Sequence, residues 1–514
     1  MKTPEKLLIL LCVSIPSFMT NLDANIVAVS LTSIARSLHA DFEAVEWVVS
    51  AYTLTFAAML MPAGTLADRF GRKRMLMIGL TIFTIASGLC GAAPSDTVLN
   101  WARALQGVGA ALQLSAALAT LSHAFQGVAR ARAFSFWGSV IGIAIMLGPV
   151  GGGVITQYLG WQWAFYVNLP IGVVMVALTY LAVEESKDPH AKRLDLWGVG
   201  TFGGFLTLLT LALISENRAG LSSKLIVVEL AGSAALFLGF LAVEKRQARP
   251  MVDLRFFRRP TYIGANIAGL SYAITFLTML TFLPLYLQNG MGHTPLAAGL
   301  LMLPIVLPLF AIPRVVARWL SPRCSGRVLL SAGLVLIGIG LLWTGTEMHR
   351  FAYGLILTPM FIATCGAGIL NGETTRVGMT VIPAERAGMA SGVSGTVKFS
   401  GLVIGFAALG AILYSRVGAV LSNSLPGRAT DVLEQLARSV SSGNLKAVQA
   451  LTGSPSGLSL ARTSLGSGYE AVMMTAGTLA LIGAALSWVL IDPKETAPLQ
   501  GATNGLDQAD ALLH

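Results

Sequence analysis

Apolar runs long enough to cross a lipid bilayer recur along this 514-residue chain, separated by short charged turns. A water-soluble fold cannot enclose that much apolar surface: 54% of the residues are hydrophobic, only 12% are charged, and the mean hydropathy is +0.70. Roughly 20 apolar residues in a helix span the hydrocarbon core, and a helix satisfies its own backbone there. Hydropathy places helices near 7–30, 45–66, 74–93, 97–122, 133–156, 163–184, 196–215, 224–243, 261–287, 296–317, 328–346, 351–376, 387–416 and 471–491, about fourteen in all. The expected fold class is an all-α polytopic membrane protein.

Charge placement gives the orientation. The turn Gly64-Thr-Leu-Ala-Asp68-Arg69-Phe-Gly71-Arg72-Lys73-Arg74 is strongly basic, as is the run from Lys245 to Arg259. The short loops on the other side hold only Arg36, Arg218, Lys224 and Arg350, so the positive-inside rule predicts that both termini are cytoplasmic. The net charge of +10 lies in these loops and not along one face, which speaks for orientation and against nucleic-acid binding. Lys2 and Lys6 precede an apolar run as in a signal peptide, but Asp23 and the lack of a cleavage site point to an uncleaved first span. Cys12, Cys90, Cys324 and Cys365 are too scattered for a disulfide framework or metal ligands. Neither a His/Cys/acid cluster nor a phosphate-cradling Gly loop is present in the sequence, so no metal, no cofactor, no ATP-driven pumping and no enzymatic activity are expected.

Weak repetition divides the chain. Gly71-Arg72 followed by Gly79-Leu80 is echoed by Gly326-Arg327 followed by Gly333-Leu334, and Gln106-Gly107-Val-Gly109 by Cys365-Gly366-Ala-Gly368. Repeated six-helix halves are characteristic of secondary transporters. The expected division is a first bundle over 1–186, a linker with two extra helices over 187–258, a second bundle over 259–492 with an outward segment at 422–470, and a cytoplasmic tail at 493–514.

Five segments in order resemble the major facilitator superfamily, and specifically its fourteen-span drug/proton antiporter branch. They are Leu22-Asp23-Ala-Asn25-Ile-Val-Ala28-Val, the 64–74 turn, Leu99-Asn-Trp-Ala-Arg103-Ala-Leu-Gln106-Gly107-Val-Gly109, Gly148-Pro149-Val-Gly151-Gly152, and Trp161-Gln162-Trp163-Ala-Phe165-Tyr-Val-Asn168-Leu-Pro170. The chain departs from that branch at Ala28, Thr32 and Gln162, where Asn, Pro and Arg are usual, and its second-half turn from Arg314 to Arg323 lacks the Gly and Asp of a faithful repeat. The resemblance implies two six-helix bundles plus two extra central helices, the major facilitator fold.

The same resemblance sharpens the candidate residues. A carboxylate within span one costs several kcal/mol unless it faces water, pairs or takes a proton, so Asp23 is either a group for proton coupling or for binding a cationic cargo, or a structural Asp that caps or bends the helix near its outer end. Arg103 cannot realistically lose its charge; it either assists proton movement, as the resemblance implies, or snorkels to water from the outer end of span four. Asp68 with Arg72, Gly64 and Gly71 forms either a solvated turn or, by resemblance, a latch holding the outward-open state. Gly148, Pro149, Gly151 and Gly152 form an antiporter motif whose small residues permit close packing and whose proline bends the helix. Glu373 and Arg376, three apart, suit a helical ion pair. Lys398 lies about ten residues into span thirteen, near the midplane, where it snorkels, pairs internally, balances Asp23 or meets an anionic cargo. Asn25, Tyr52, Gln113, Tyr272 and Phe276 are candidates for a mixed polar and aromatic cargo cavity.

The function expected from this reading is proton-coupled efflux of small amphipathic or lipophilic compounds, such as drugs or antibiotics, across a bacterial inner or plasma membrane by alternating access. The alternative is a dedicated exporter of one metabolite, an organic anion included, for which Lys398 discriminates. The implied partners are the small-molecule cargo, protons and the lipid bilayer. The 422–470 segment, with helical spacing from Asp431 to Arg438, is expected to form an amphipathic hairpin over the cavity mouth or to dock a periplasmic adaptor protein.

Overall fold

The computed structural model describes residues 3–125, 127–187, 195–219, 224–247, 252–382, 387–443 and 457–497. Parts of three expected regions, 188–194, 220–223 and 248–251 of the linker, 444–456 of the outward segment and 498–514 of the tail, lie outside the described residues. The described helices include fourteen long and apolar enough to cross a membrane, and no strand occurs among the described residues.

The first bundle comprises α1 (Thr3–Leu38), α2 (Phe42–Phe70), α3 (Arg72–Gly91), α4 (Asp96–Ala124), α5 (Gly127–Tyr158) and α6 (Trp163–Ala182). Two further helices, α7 (Leu196–Ala219) and α8 (Lys224–Arg246), precede the second bundle. That bundle consists of α9 (Pro260–Gly290), α10 (Pro295–Leu320), α11 (Gly326–Glu347), α12 (Tyr353–Met379), α13 (Ala387–Ser424) and α15 (Gly457–Leu490), with a short helix α14 (Thr430–Ser441) before the last. Polar residues at the turns start several of these helices: Asp41, Ser95 and Thr294 accept the exposed backbone N–H groups of α2, α4 and α10.

Both bundles pair their helices in the same pattern. In the first, α1 packs on α4 and α5, α3 on α4 and α6, and α2 on α4; in the second, α9 packs on α12 and α13, α11 on α12 and α15, and α10 on α12. Glycines set the closest approaches in both. A Cβ on Gly79 of α3 would come within 2.9 Å of the Gly109 carbonyl of α4, and a Cβ on Gly333 of α11 would come within 3.0 Å of the Gly366 carbonyl of α12. The sequence echo thus marks a real structural repeat, with one adjustment: packing matches Gly366 to Gly109, two positions from the alignment of Gly366 with Gly107.

The halves exchange corresponding elements, α5 against α10 and α13 against α2. On the face opposite the chain's N-terminus, the far face, one apolar cluster runs without a break from Val27, Leu31 and Ile34 of α1 to Leu283 and Leu287 of α9. Toward the terminal face, the first bundle has its own cluster around Cys12, Phe56, Leu80 and Leu121. The extra pair α7 and α8 lies across the α2–α13 seam, where Leu206 packs with Leu54, Ala57 and Val403.

Three details differ from the hydropathy reading. The last span begins at Gly457 and not near 471, because its polar first turns are held by protein: a Cβ on Gly468 would meet Leu413 and Val417 of α13. The outward segment correspondingly contributes one described amphipathic helix, α14, whose Leu436, Ala437 and Val440 are buried against α13 and α15. Finally, α12 is interrupted at Asn371 and Gly372, where Gly372 takes φ +96°.

Candidate functional site

Asp23 lies midway along α1 and is 1% exposed. Four other helices supply its surroundings. Arg103 Nη1 of α4 donates to Oδ2 at 2.7 Å, while Gln106 Nε2 of α4 and Asn168 Nδ2 of α6 both donate to Oδ1 at 2.9 Å. Gln106 also donates to Ser87 Oγ of α3 at 2.9 Å. Arg103, likewise 1% exposed, donates through Nε to the Val48 carbonyl of α2 at 2.9 Å and through Nη1 to Gln106 Oε1 at 2.6 Å. Its guanidinium sits 4.2 Å from the Tyr52 ring centroid, and the Phe165 ring lies on another side at 5.8 Å.

The enclosure of Arg103 within the bundle argues against snorkelling, since its side chain does not reach water. A buried charge pair persists only when its remaining donors and acceptors are satisfied, and here both carboxylate oxygens and the guanidinium have partners. The arrangement has a chemical consequence. If Asp23 takes a proton, Arg103 still keeps the Val48 carbonyl, Gln106 Oε1 and two aromatic faces.

Gln106 and Asn168 did not stand out as site residues in the sequence. Their signal was nevertheless present, since each lies inside one of the five segments that carry the family resemblance.

The residues expected around one cargo cavity fall into separate places. Tyr52 is 4% exposed and belongs to the Arg103 cage, stacked on Phe56. Gln113 is fully enclosed inside the first bundle, where it donates to Thr20 Oγ1. Asn25 is half-buried, donates to the Asn21 carbonyl at 2.8 Å, and packs its Cβ on Gly148. Tyr272 and Phe276 are buried and stacked with centroids 6.3 Å apart in α9, where the backbone passes through a π-helical turn at Ala273–Leu277. Lys398 is half-buried on α13 with Nζ 5.6 Å from the Tyr272 ring centroid.

The Gly-Pro segment of α5 forms the junction between halves. Gly148 and Gly152 sit on Asn25 and Ile26 of α1, while Pro149 faces Gly299 of α10 and Gly153 faces Pro295. Gly151 has nothing within 4 Å of a built Cβ, so its smallness is not required by packing here.

At the terminal face, Arg72 pairs with Asp68 at 3.0 Å within the turn. Gly71 bends the chain at φ +115°, and the turn is tied to the end of the first bundle: Arg72 N–H donates to the Ser186 carbonyl, and Lys73 and Arg74 N–H groups donate to Glu185. Gly64 lies in open space. The turn's charge pair and anchors among the described residues therefore all lie on the first-bundle side. In the second half, Arg376 Nε donates to Glu373 at 2.7 Å, forming the expected ion pair, and Ser321 Oγ donates to the other Glu373 oxygen at 2.8 Å.

The sequence profile of the Major Facilitator Superfamily matches residues 13–406. The chain is 37% identical over 433 residues to the multidrug resistance protein Stp of Mycobacterium tuberculosis, covering 84% of this chain and 80% of that protein. It is 33% identical over 445 residues to the drug efflux pump JefA of the same organism, covering 85% and 86%, and 32% identical over 400 residues to the methylenomycin A resistance protein of Streptomyces coelicolor, covering 77% and 83%. A solved bacterial homologue of the human lysosomal transporter Spinster superposes with a TM-score of 0.65 over 96% of this chain and 99% of that one at 14% identity, a likeness of fold alone. The chain belongs to the Major Facilitator Superfamily and is a multi-pass membrane transporter, not an enzyme.

Proposed function

We propose that this transporter exports small amphipathic or lipophilic compounds in exchange for protons, by alternating access, with both termini in the cytoplasm of a bacterial cell. The observation that carries the reading is the enclosed Asp23 carboxylate, shared by Arg103, Gln106 and Asn168. Proton coupling requires a group whose protonation is linked to which side of the membrane it meets. Asp23 lies in the bundle that must move, and Arg103 has second partners ready when the carboxylate is neutralised. Protonation thus releases α1 from α4 and α6 without stranding a bare cation.

Export as the direction follows from the names of the relatives, which are resistance and efflux proteins. The basic turns on one side of the membrane support cytoplasmic termini. In this reading the Asp68–Arg72 turn is a latch, disengaged while the far face is closed, and the far-face helix α14 offers an edge for an adaptor protein. The test of coupling is uptake of cationic, neutral and acidic amphipathic compounds into inverted vesicles with and without a proton gradient. Wild-type uptake collapses when the gradient is dissipated, and Asp23→Asn lowers it at least about tenfold at equal membrane abundance. Undiminished gradient-driven uptake by Asp23→Asn removes Asp23 from the mechanism.

A further inference from the structure

We propose that the compounds carried by this protein bear an acidic group, a carboxylate or phenolate, and that Lys398 together with the Tyr272 hydroxyl receives it. This deepens the export reading and rests on it. The first step is where Lys398 lies. On α13, Phe399 packs edge-on to Phe56 of α2 at 4.3 Å, Val403 joins the cluster shared with α7, and Val393 and Val397 join the one around Phe240 and Val252. Those contacts use the helix faces toward α2 and toward the extra pair. Helical spacing leaves Lys398 on another side, turned to Tyr272 of α9, and its half-buried side chain reaches that ring.

The second step is charge. Among the described residues, no carboxylate pairs with Lys398, and no hydrogen bond engages its ammonium or the Tyr272 hydroxyl. The carboxylates deep in the membrane are committed elsewhere. Asp23 holds Arg103, Gln106 and Asn168; Glu373 holds Arg376 and Ser321; Glu46 is fully enclosed near the far end of α2, against Gly410. A cationic compound entering beside Lys398 meets repulsion and is offered no free carboxylate by these groups. An acidic compound supplies the counter-charge that a partly desolvated ammonium lacks, and the tyrosine hydroxyl adds a second donor to the same oxygens. The stacked Tyr272 and Phe276 rings are buried in this conformation, so the rest of a lipophilic molecule packs against them once the halves part.

Equilibrium binding to the purified full-length protein, without any gradient, tests this separately from coupling. The probes are 1-naphthoate, its neutral methyl ester and 1-naphthylmethylammonium, matched in ring and differing in charge. Wild-type protein is expected to prefer the naphthoate over both others; Lys398→Gln lowers naphthoate affinity about tenfold or more while ester affinity holds, and Lys398→Arg keeps most of it. If Lys398→Gln does not fold, shown by loss of ester binding, Tyr272→Phe decides by weakening the naphthoate alone. A preference for the ammonium, equal affinities, no binding of the naphthoate, or a naphthoate affinity indifferent to Lys398→Gln and Tyr272→Phe overturns the proposal. Lys398-dependent naphthoate binding without gradient-driven transport sinks the coupling reading and leaves this one standing. Gradient-driven transport with no acid preference does the reverse.

Discussion

A buried carboxylate and a buried guanidinium are not symmetric partners, and the contacts around Asp23 and Arg103 show why. Without Asp23, Arg103 retains the Val48 carbonyl, Gln106 Oε1 and the Tyr52 ring. Without Arg103, Asp23 keeps only the Gln106 and Asn168 amides, and its charge has no counter-ion. Removing one partner of a buried pair typically costs about 3–5 kcal/mol, most of it from stranding the other charge. Above the pH at which a lone Asp23 takes up a proton, Arg103→Gln is therefore expected to lower thermal stability more than Asp23→Asn, and the double variant is expected to be more stable than Arg103→Gln alone. Unfolding of the three purified variants checks the order; equal losses from both single changes would mean that the pair acts only through shape. Asp23 and Arg103 were each legible in the sequence because charged residues inside apolar runs are conspicuous, but their pairing was not, since 80 residues separate them and Lys398 was the cation expected to balance Asp23. Gln106 and Asn168 were not legible, because an amide in a membrane helix carries no charge to mark it, and only spatial proximity gives it a role.

At the level of elements, hydropathy found the spans but not their interruptions. The dipeptide Asn371-Gly372 is among the strongest turn signals a sequence offers, yet it sits at the end of a run apolar enough to read as one helix. Its φ of +96° requires glycine, so Gly372→Ala is expected to cost about 1–3 kcal/mol, read as a lowered unfolding temperature. Gly64→Ala is the control: Gly64 is helical with nothing near, so the change is neutral or mildly stabilising. A neutral Gly372→Ala would show that α12 can run straight. The break also sets a carboxylate beside the second-half turn. In the first half Glu185 gathers the 71–74 backbone, whereas in the second half Glu373, placed just after the break, holds Ser321 at the end of α10. The second turn lacks its own Asp, and a carboxylate from α12 holds its end instead. That substitution was invisible in the sequence, since Glu373 and Ser321 are 52 residues apart.

For the whole molecule, the reciprocal pairing of α5 with α10 and α2 with α13 makes a rocking motion of two rigid bundles the simplest large movement. The far face is joined in this conformation: Gln288 of α9 donates to the Val29 carbonyl at 2.8 Å, and Leu296 N–H of α10 donates to Gln157 of α5 at 3.3 Å. Alternating access demands that these contacts break once per cycle. Gly153 and Leu296 offer the way to prevent it, since a Cβ on Gly153 would lie 2.8 Å from the Leu296 Cα across the junction. With Cys12, Cys90, Cys324 and Cys365 replaced by Ser, Gly153→Cys with Leu296→Cys is expected to oxidise once the helices part slightly, because the added Cβ also falls 2.6 Å from the Pro295 carbonyl, and then to stop export and to regain it on reduction. The same cross-link reads the latch. If the Asp68 turn holds the protein open on the far face, adding Asp68→Asn raises the population closed there and speeds formation of the bridge, by the factor by which that population grows. An unchanged rate leaves the turn a topological marker only, and full export by the bridged protein would mean that cargo leaves without the far face parting at α5 and α10.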